Sequence, residues 1–194
     1  GTIGLILWSI QLIPQVYSNY KYKLSDGLST SALLLWISAN IFQCVYSIQA
    51  QLTIPLILQP HFFMALTVIC LVQNYHYSRV NTAILPTLVL LISIVIFLTG
   101  LEMSSIFIIS VIFSSTTTQN TVAFLVGIIC PVLLSLGFFK QIFEIIKEKS
   151  GTGVSKLFII MDILGGLFCV LSLLFHDHFD WVASLTYGSV VILD

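Results

Sequence analysis

Asp162 is the residue whose type and surroundings point most clearly to chemistry. It lies in the apolar run FIIMDILGGLFCVLSLLF, about six residues, or roughly 9 Å, inside a predicted membrane helix. A carboxylate at a helix centre costs about 2.5–3.5 kcal/mol on insertion scales, so such residues usually face a cavity or relay protons. Gly165 and Gly166 share its helix face and are expected to leave room beside it. The pattern predicts a proton-coupling carboxylate; an interfacial aspartate paired with Lys156 is the alternative.

Other polar residues in apolar runs are candidates to line the same cavity as Asp162. Asp194 ends the run VVILD and is a second candidate for proton coupling, unless it is the first residue beyond the membrane. Trp36 is better explained by packing, and the two glutamines can cap helix carbonyls instead of facing a cavity. The candidates for solute contact are Gln15, Asn19, Trp36, Asn40, Gln141 and Gly166.

Two prolines are candidate hinges. Proline lacks a backbone donor and frees a carbonyl one turn earlier, which permits bending in a membrane helix. Pro14 lies near the end of the first apolar run and Pro131 in the middle of a later one. An ordinary kink is an equally good reading of Pro14.

Several of these residues recur after a shift of 126 positions. The stretch QLIPQVYSNYKYKLSDGLS aligns without a gap with GFFKQIFEIIKEKSGTGVS. The same shift places Asp162 opposite Trp36 and Gly166 opposite Asn40, while Lys140 takes the place of Pro14. We interpret this pattern as an internal duplication. The identical polar pairs at the loops are Gln15/Gln141, Lys21/Lys147, Gly27/Gly153 and Ser29/Ser155.

Composition identifies the elements that must position these residues. The 194-residue chain is 58% hydrophobic and 8% charged, with a mean hydropathy of +1.07, which excludes a soluble globular domain. Residues 105–113 form an apolar run too short to span, so we expect an interfacial or re-entrant segment there. The predicted spans are 2–18, 28–49, 56–78, 82–100, 121–139, 157–175 and 179–194.

The positions of the charges support seven spans. With that count, every lysine and arginine falls on one side, and Glu102, Asp177 and Asp180 fall on the other. The positive-inside rule then makes the basic loops cytosolic and the N-terminus luminal or exterior. The expected fold is an all-α membrane protein with two parallel three-helix repeats, residues 1–78 and 121–194. A linker helix and a luminal segment in residues 79–120 join them.

Other chemistry is not predicted. His61, His176 and His178 fall at luminal helix ends and are read as interfacial residues. The four cysteines lie singly in apolar runs without metal-type spacing, so they are read as small buried side chains. No catalytic motif, cofactor motif or nucleic-acid surface is visible. We therefore expect neither an enzyme, nor a metal or cofactor, nor a nucleic-acid partner.

The motifs resemble the PQ-loop repeat family of seven-span membrane proteins, and most closely its cystinosin-like branch. Pro14-Gln15 with Asn19 and Gly27 is similar to that family's first loop, and Asp162 with its glycines is similar to its D-x-x-G-G-x-F segment. The resemblance implies that Asp162 and Asp194 couple solute movement to protons. The second loop departs from the family's motif at two positions. Lys140 stands where the motif has proline, and Ile145 stands where the motif usually has asparagine.

The expected function is a proton-coupled transporter that exports an amino acid or similar solute from an acidic vacuole, lysosome or other endomembrane lumen to the cytosol. Its partners would be the bilayer, the solute and protons. A non-transporting receptor or scaffold that docks a cytosolic protein on the basic loops, and a passive sugar uniporter of the SWEET type, remain alternatives.

Overall fold

The computed structural model describes residues 2–23, 27–78, 83–113, 115–148 and 153–173, together with Gly188. Within these ranges the regular structure is helical, without strands. The helices are α1 (Thr2–Ile10), α2 (Ile13–Tyr22), α3 (Thr30–Gln49), α4 (Ile54–Tyr77), α5 (Ile84–Ile112), α6 (Thr116–Glu148) and α7 (Lys156–Leu173).

The first predicted span, residues 2–18, is not one continuous helix but is divided between α1 and α2. The break lies at residues 11 and 12, immediately before Pro14 in the first turn of α2. Pro14 cannot donate to the carbonyl of Ile10, so the α1 hydrogen-bond ladder is interrupted there. In contrast, α6 continues through both Pro131 and Lys140. Hinge motion at Pro14 or Pro131 stays a prediction.

Among the described residues, four helices are long and apolar enough to cross a membrane, so this is a multi-pass membrane protein. They are α3, α4, α5 and the segment Thr117–Lys147 of α6. The bounds of α3, α4 and α7 lie within about two residues of the predicted spans 28–49, 56–78 and 157–175. The predicted span 179–194 falls almost entirely outside the described residues, and the count of seven spans stays a prediction.

The expectation of a re-entrant segment at residues 105–113 is wrong, because residues 105–112 continue helix α5; an interfacial position for them stays a prediction. Helix α5 runs without a break to Ile112, and its 29 residues correspond to about 43 Å, longer than a hydrocarbon core of about 30 Å. The polar Ser104 and Ser105 do not end it, because their hydroxyls donate to the carbonyl of Leu101 at 3.0 and 2.7 Å. Helix α6 similarly extends beyond the predicted span 121–139 at both ends.

Hydrogen bonds between helices show that neighbouring helices alternate in direction. Asn74, near the end of α4, donates to the Leu28 carbonyl just before α3. Gln49, at the end of α3, donates to the Ile106 carbonyl near the end of α5. One end of the bundle therefore carries the described lysines, and we call it the lysine end; the other is the opposite end. The described lysines are Lys21, Lys23, Lys140, Lys147 and Lys156.

The centre of the bundle is aromatic. Trp36 is fully buried, and its ring centroid lies 5.2 Å from that of Phe138 and 6.3 Å from those of Phe63 and Phe158. These residues come from α3, α6, α4 and α7, so the cluster joins four helices. Helix α5 exposes most of its apolar side chains, as expected for a helix that faces lipid.

We expect single cysteines introduced in residues 19–28 and 144–155 to react with a thiol reagent added from the cytosolic side. Cysteines at Gly1 and Gln119 should react from the other side. The reason is the positive-inside rule applied to a lysine end that carries both loops. Single cysteines at these sites, in a background without the four buried native cysteines, can be probed with a membrane-impermeant thiol reagent. Labelling of the two basic loops from opposite faces would contradict this orientation.

Candidate functional site

A small cavity lies inside the bundle, between α1, α3, α4, α6 and α7. Its volume is about 40 Å³, enough for a water molecule but far below the roughly 300–1,000 Å³ of typical small-molecule sites. The cavity is therefore too small to hold an amino acid. Its polar lining is Gln11, Asn40 and Asp162, and its apolar lining is Trp8, Phe63, Leu134 and Phe138.

Asp162 is held in this wall by α7 and is only 2% exposed. The indole Nε1 of Trp8 donates to its backbone carbonyl at 2.9 Å. Trp8 also fills the space beside Gly165, where a β-carbon would overlap the indole ring. The expectation that Gly165 leaves room for a solute is therefore wrong, because its missing side chain admits Trp8. Gly166 is buried on the same helix.

Gln11 is a residue that the sequence analysis did not single out. Its side chain is 4% exposed, and its Oε1 has no hydrogen-bond partner among the described residues. A buried carbonyl oxygen without a donor costs about 1–3 kcal/mol, so the cavity favours a guest that can donate a hydrogen bond. Asn40, across the cavity, donates to the Trp36 carbonyl at 2.7 Å. The signal for Gln11 was its position one helical turn before Gln15.

Two glutamines hold the loops of the lysine end together. Gln15 Oε1 accepts from the Ser155 N–H at 2.7 Å, and its Nε2 donates to the Gly153 carbonyl at 3.0 Å. Gln141 Oε1 accepts from the Ser29 N–H at 2.8 Å, and its Nε2 donates to the Gly27 carbonyl at 2.7 Å. A shift of 126 residues places Gln15 on Gln141, and Gly27 and Ser29 on Gly153 and Ser155, so the two pairs of contacts are equivalent. We call these four hydrogen bonds the crossed glutamine contacts.

The two loops also touch through their backbones. A β-carbon at Gly27 would overlap the Gly153 carbonyl group. Ser29 then begins α3 as its N-cap, accepting from the Ala32 N–H at 3.3 Å. Glycine at this position therefore allows the close approach on which the crossed glutamine contacts depend.

The two glutamines differ in their surroundings. Gln15 Nε2 also donates to Asn19 Oδ1 at 2.8 Å, and Asn19 Nδ2 donates to Gln73 Oε1 at 3.1 Å. Ile145 occupies the place of Asn19 after the shift of 126, and it packs against the apolar core. The polar network is thus extended on one side only.

The structure brings together only some of the predicted site residues. Asn40 and Asp162 line the cavity, and Trp36 packs beside it against two of the lining phenylalanines. The side chains of Gln15, Asn19 and Gln141 are instead engaged at the lysine end, and their contact with solute stays a prediction. Asp194 lies outside the described residues.

A second polar cluster lies near the opposite end, and the sequence analysis did not anticipate it. His61 Nε2 lies 2.9 Å from Glu102 Oε1, and Cys44 Sγ lies 3.6 Å from His61 Nδ1. The three residues were read separately because they lie on three helices, 17 and 41 positions apart. Only packing of α3, α4 and α5 brings them together.

These features define a multi-pass helical membrane protein with a small, partly polar cavity between helices and paired loops at one end. The chain belongs to the PQ-loop repeat family. The model of the PQ loop repeat matches residues 1–56 and 122–182, which confirms the resemblance seen in the motifs.

Similar proteins come from two yeasts. An uncharacterized protein of Schizosaccharomyces pombe is 32% identical over 99% of this chain, which spans 66% of that relative's length. The vacuolar lysine transporter YPQ1 of Saccharomyces cerevisiae is 30% identical over 41% of this chain and 26% of its own length. The vacuolar histidine transporter YPQ3 of the same yeast is 26% identical over 44% of this chain and 29% of its own length.

Proposed function

We propose that this chain is a proton-coupled transporter that moves an amino acid or similar small solute out of an acidic organelle lumen into the cytosol. The observation that carries the proposal is a buried carboxylate, Asp162, in the wall of a cavity between helices. Intramembrane carboxylates in such positions mark solute and proton pathways. Two relatives with named functions are transporters, which supports this class over an enzyme.

The proposed architecture has two three-helix units, residues 1–78 and 121–194, in the same orientation, with α5 in residues 79–120 as their link. The crossed glutamine contacts support it, because the same two contacts run in both directions between the units. Substrate sites in repeat-built transporters lie near the midplane between the units. The cavity that contains Asn40 and Asp162 has contributions from both.

In this proposal the structure corresponds to a closed state. The crossed glutamine contacts seal the lysine end, and the cavity has room for water but not for solute. Opening toward the cytosol requires the four hydrogen bonds to break and the loops to separate. Pro14 follows the break between α1 and α2, only three residues from the cavity residue Gln11, so a hinge there would couple cavity opening to loop separation.

Asp162 supplies the proton step. Protonation from the acidic lumen makes the carboxylic acid neutral, which lowers the cost of burial in the closed state. Opening toward the cytosol hydrates the group and releases the proton. Gln11 and Asn40 can hydrogen-bond the solute in the same cavity, and the carboxylate can attract an amino group. Because two relatives are transporters of lysine and histidine, amino acids are the first class of solute to test. The vacuolar location of these relatives favours a vacuolar or lysosomal membrane for this chain.

The test is uptake by the purified chain in liposomes. Radiolabelled lysine, histidine and neutral amino acids are placed on the acidic side of an imposed pH gradient. We expect accumulation on the other side for at least one amino acid, with collapse when a protonophore dissipates the gradient. Passive equilibration that ignores the gradient would exclude proton coupling, and no movement of any amino acid would contradict the substrate class.

A further inference from the structure

Three side chains with metal-binding atoms meet near the opposite end of the bundle. Cys44 is on α3, His61 on α4 and Glu102 on α5. The cysteine sulfur, an imidazole nitrogen and a carboxylate oxygen all lie within 4.8 Å of one another. We infer that these residues form a binding site for a divalent transition-metal ion, with zinc as the best match. This inference does not depend on the proposed transport function.

The orientation of His61 favours coordination through Nε2. Its Nδ1 lies 2.7 Å from the Ile57 carbonyl one turn earlier, so Nδ1 carries a proton and donates to that oxygen. Metal-binding histidines commonly hold their second nitrogen in this way. Nε2 is then the nitrogen available to a metal ion, and it lies 2.9 Å from Glu102 Oε1. Two acceptors at that separation need a cation between them or beside them, either a proton or a metal ion. Cys44 Sγ lies 3.6 Å from Nδ1, so the cysteine side chain must turn toward Nε2 to bind the same ion.

The set of ligands selects the metal. Thiolate, imidazole and carboxylate together suit zinc, whereas magnesium and calcium prefer oxygen ligands alone. Ligands of a tetrahedral zinc ion at about 2.0–2.3 Å lie about 3.5 Å apart. The present upper separation of 4.8 Å therefore requires a closure of about 1 Å, within the reach of side-chain rotation. Three protein ligands leave a fourth position open for water or another donor.

Charge balance makes the site compatible with the membrane interior. Zinc binding releases two protons to solvent, that of the Cys44 thiol and the one shared by His61 Nε2 and Glu102 Oε1, and leaves His61 neutral. One divalent ion with a thiolate and the Glu102 carboxylate gives a net charge of zero, which avoids the cost of a buried net charge. Cys44 is fully buried and Glu102 is 7% exposed, while the His61 side chain is 34% exposed and provides access.

Cobalt titration of the metal-stripped full chain in detergent tests the site. Cobalt replaces zinc in tetrahedral sites, and thiolate coordination gives an intense near-ultraviolet absorption. We expect saturation at one ion per chain, displacement by zinc, and an increase of the melting temperature with zinc concentration, because a ligand that binds the folded state stabilises it. No saturable binding would overturn the inference and leave His61 and Glu102 as a pair that shares a proton.

Matched variants identify the ligands. Cys44→Ser preserves volume and should remove the thiolate absorption, while Glu102→Gln should weaken binding by more than about tenfold. Cys70→Ala removes another buried cysteine, from α4 and outside the cluster, and should leave both properties unchanged. Binding is compared on monodisperse protein, so loss of fold is distinguished from loss of a ligand. Thiolate absorption that survives Cys44→Ser would contradict the assignment.

Discussion

Asp162→Asn is expected to abolish concentration of solute by a pH gradient while the protein still folds. Asparagine keeps the shape and polarity of the side chain in the cavity wall, but it cannot bind and release a proton. A gradient of about two pH units supplies about 2.7 kcal/mol per proton, enough for a roughly hundredfold accumulation. The variant should lose this accumulation completely, because Asp162 is, among the described residues, the carboxylate that lines the cavity.

Liposome uptake measures the effect in two modes. Net accumulation along the pH gradient should disappear, whereas exchange of labelled for unlabelled solute can persist, since exchange requires no net proton movement. Glu144→Gln is the matched control: Glu144 lies on α6 beside Lys140, 3.5 Å away and outside the cavity. It should accumulate solute as the unmodified chain does. If Asp162→Asn still concentrates solute, then Asp162 is structural and Asp194 becomes the candidate for coupling.

Gly27→Ala should have the largest effect at the lysine end. An added β-carbon would overlap the Gly153 carbonyl group, and backbone atoms cannot rotate away as a flexible side chain can. The loops must separate, which weakens the Gln141 contacts to Gly27 and Ser29. Overpacking of this kind costs about 1–3 kcal/mol. The melting temperature should fall by several degrees, and a thiol reporter at Ser155 should react faster.

Gly100→Ala provides the comparison for the same chemical change. A β-carbon at Gly100 meets nothing within 4 Å, and alanine is the better helix former by about 1 kcal/mol in the interior of α5. This variant should melt at the same temperature as the unmodified chain or slightly higher. Equal melting temperatures and equal thiol reactivity for both variants would show that contact between the loops does not stabilise the closed state.

Composition and residue type alone were enough for the membrane class and most helix positions. Long apolar runs must be helical in lipid because backbone groups find no water there, and this requirement acts locally. The shift of 126 residues also identified Gln15, Gly27 and their counterparts as a related set. Local pattern failed at residues 105–113, where an apolar run too short to span by itself continues helix α5. Ser104 and Ser105 return their hydroxyls to the helix backbone and do not interrupt it.

Tertiary packing decided what each polar residue does. Each glutamine, on the helix before one loop, binds the backbone of the other loop, more than 110 positions away. Trp8 occupies the space that Gly165 was expected to leave for solute. Cys44, His61 and Glu102 carry no common motif, because their spacing reflects three separate helices. Helical periodicity shows which residues share a face of one helix, but the partner of that face depends on how the helices pack. The sequence therefore identified the membrane helices and the buried carboxylate, whereas only packing decided the cavity size, the crossed glutamine contacts and the cluster near the opposite end.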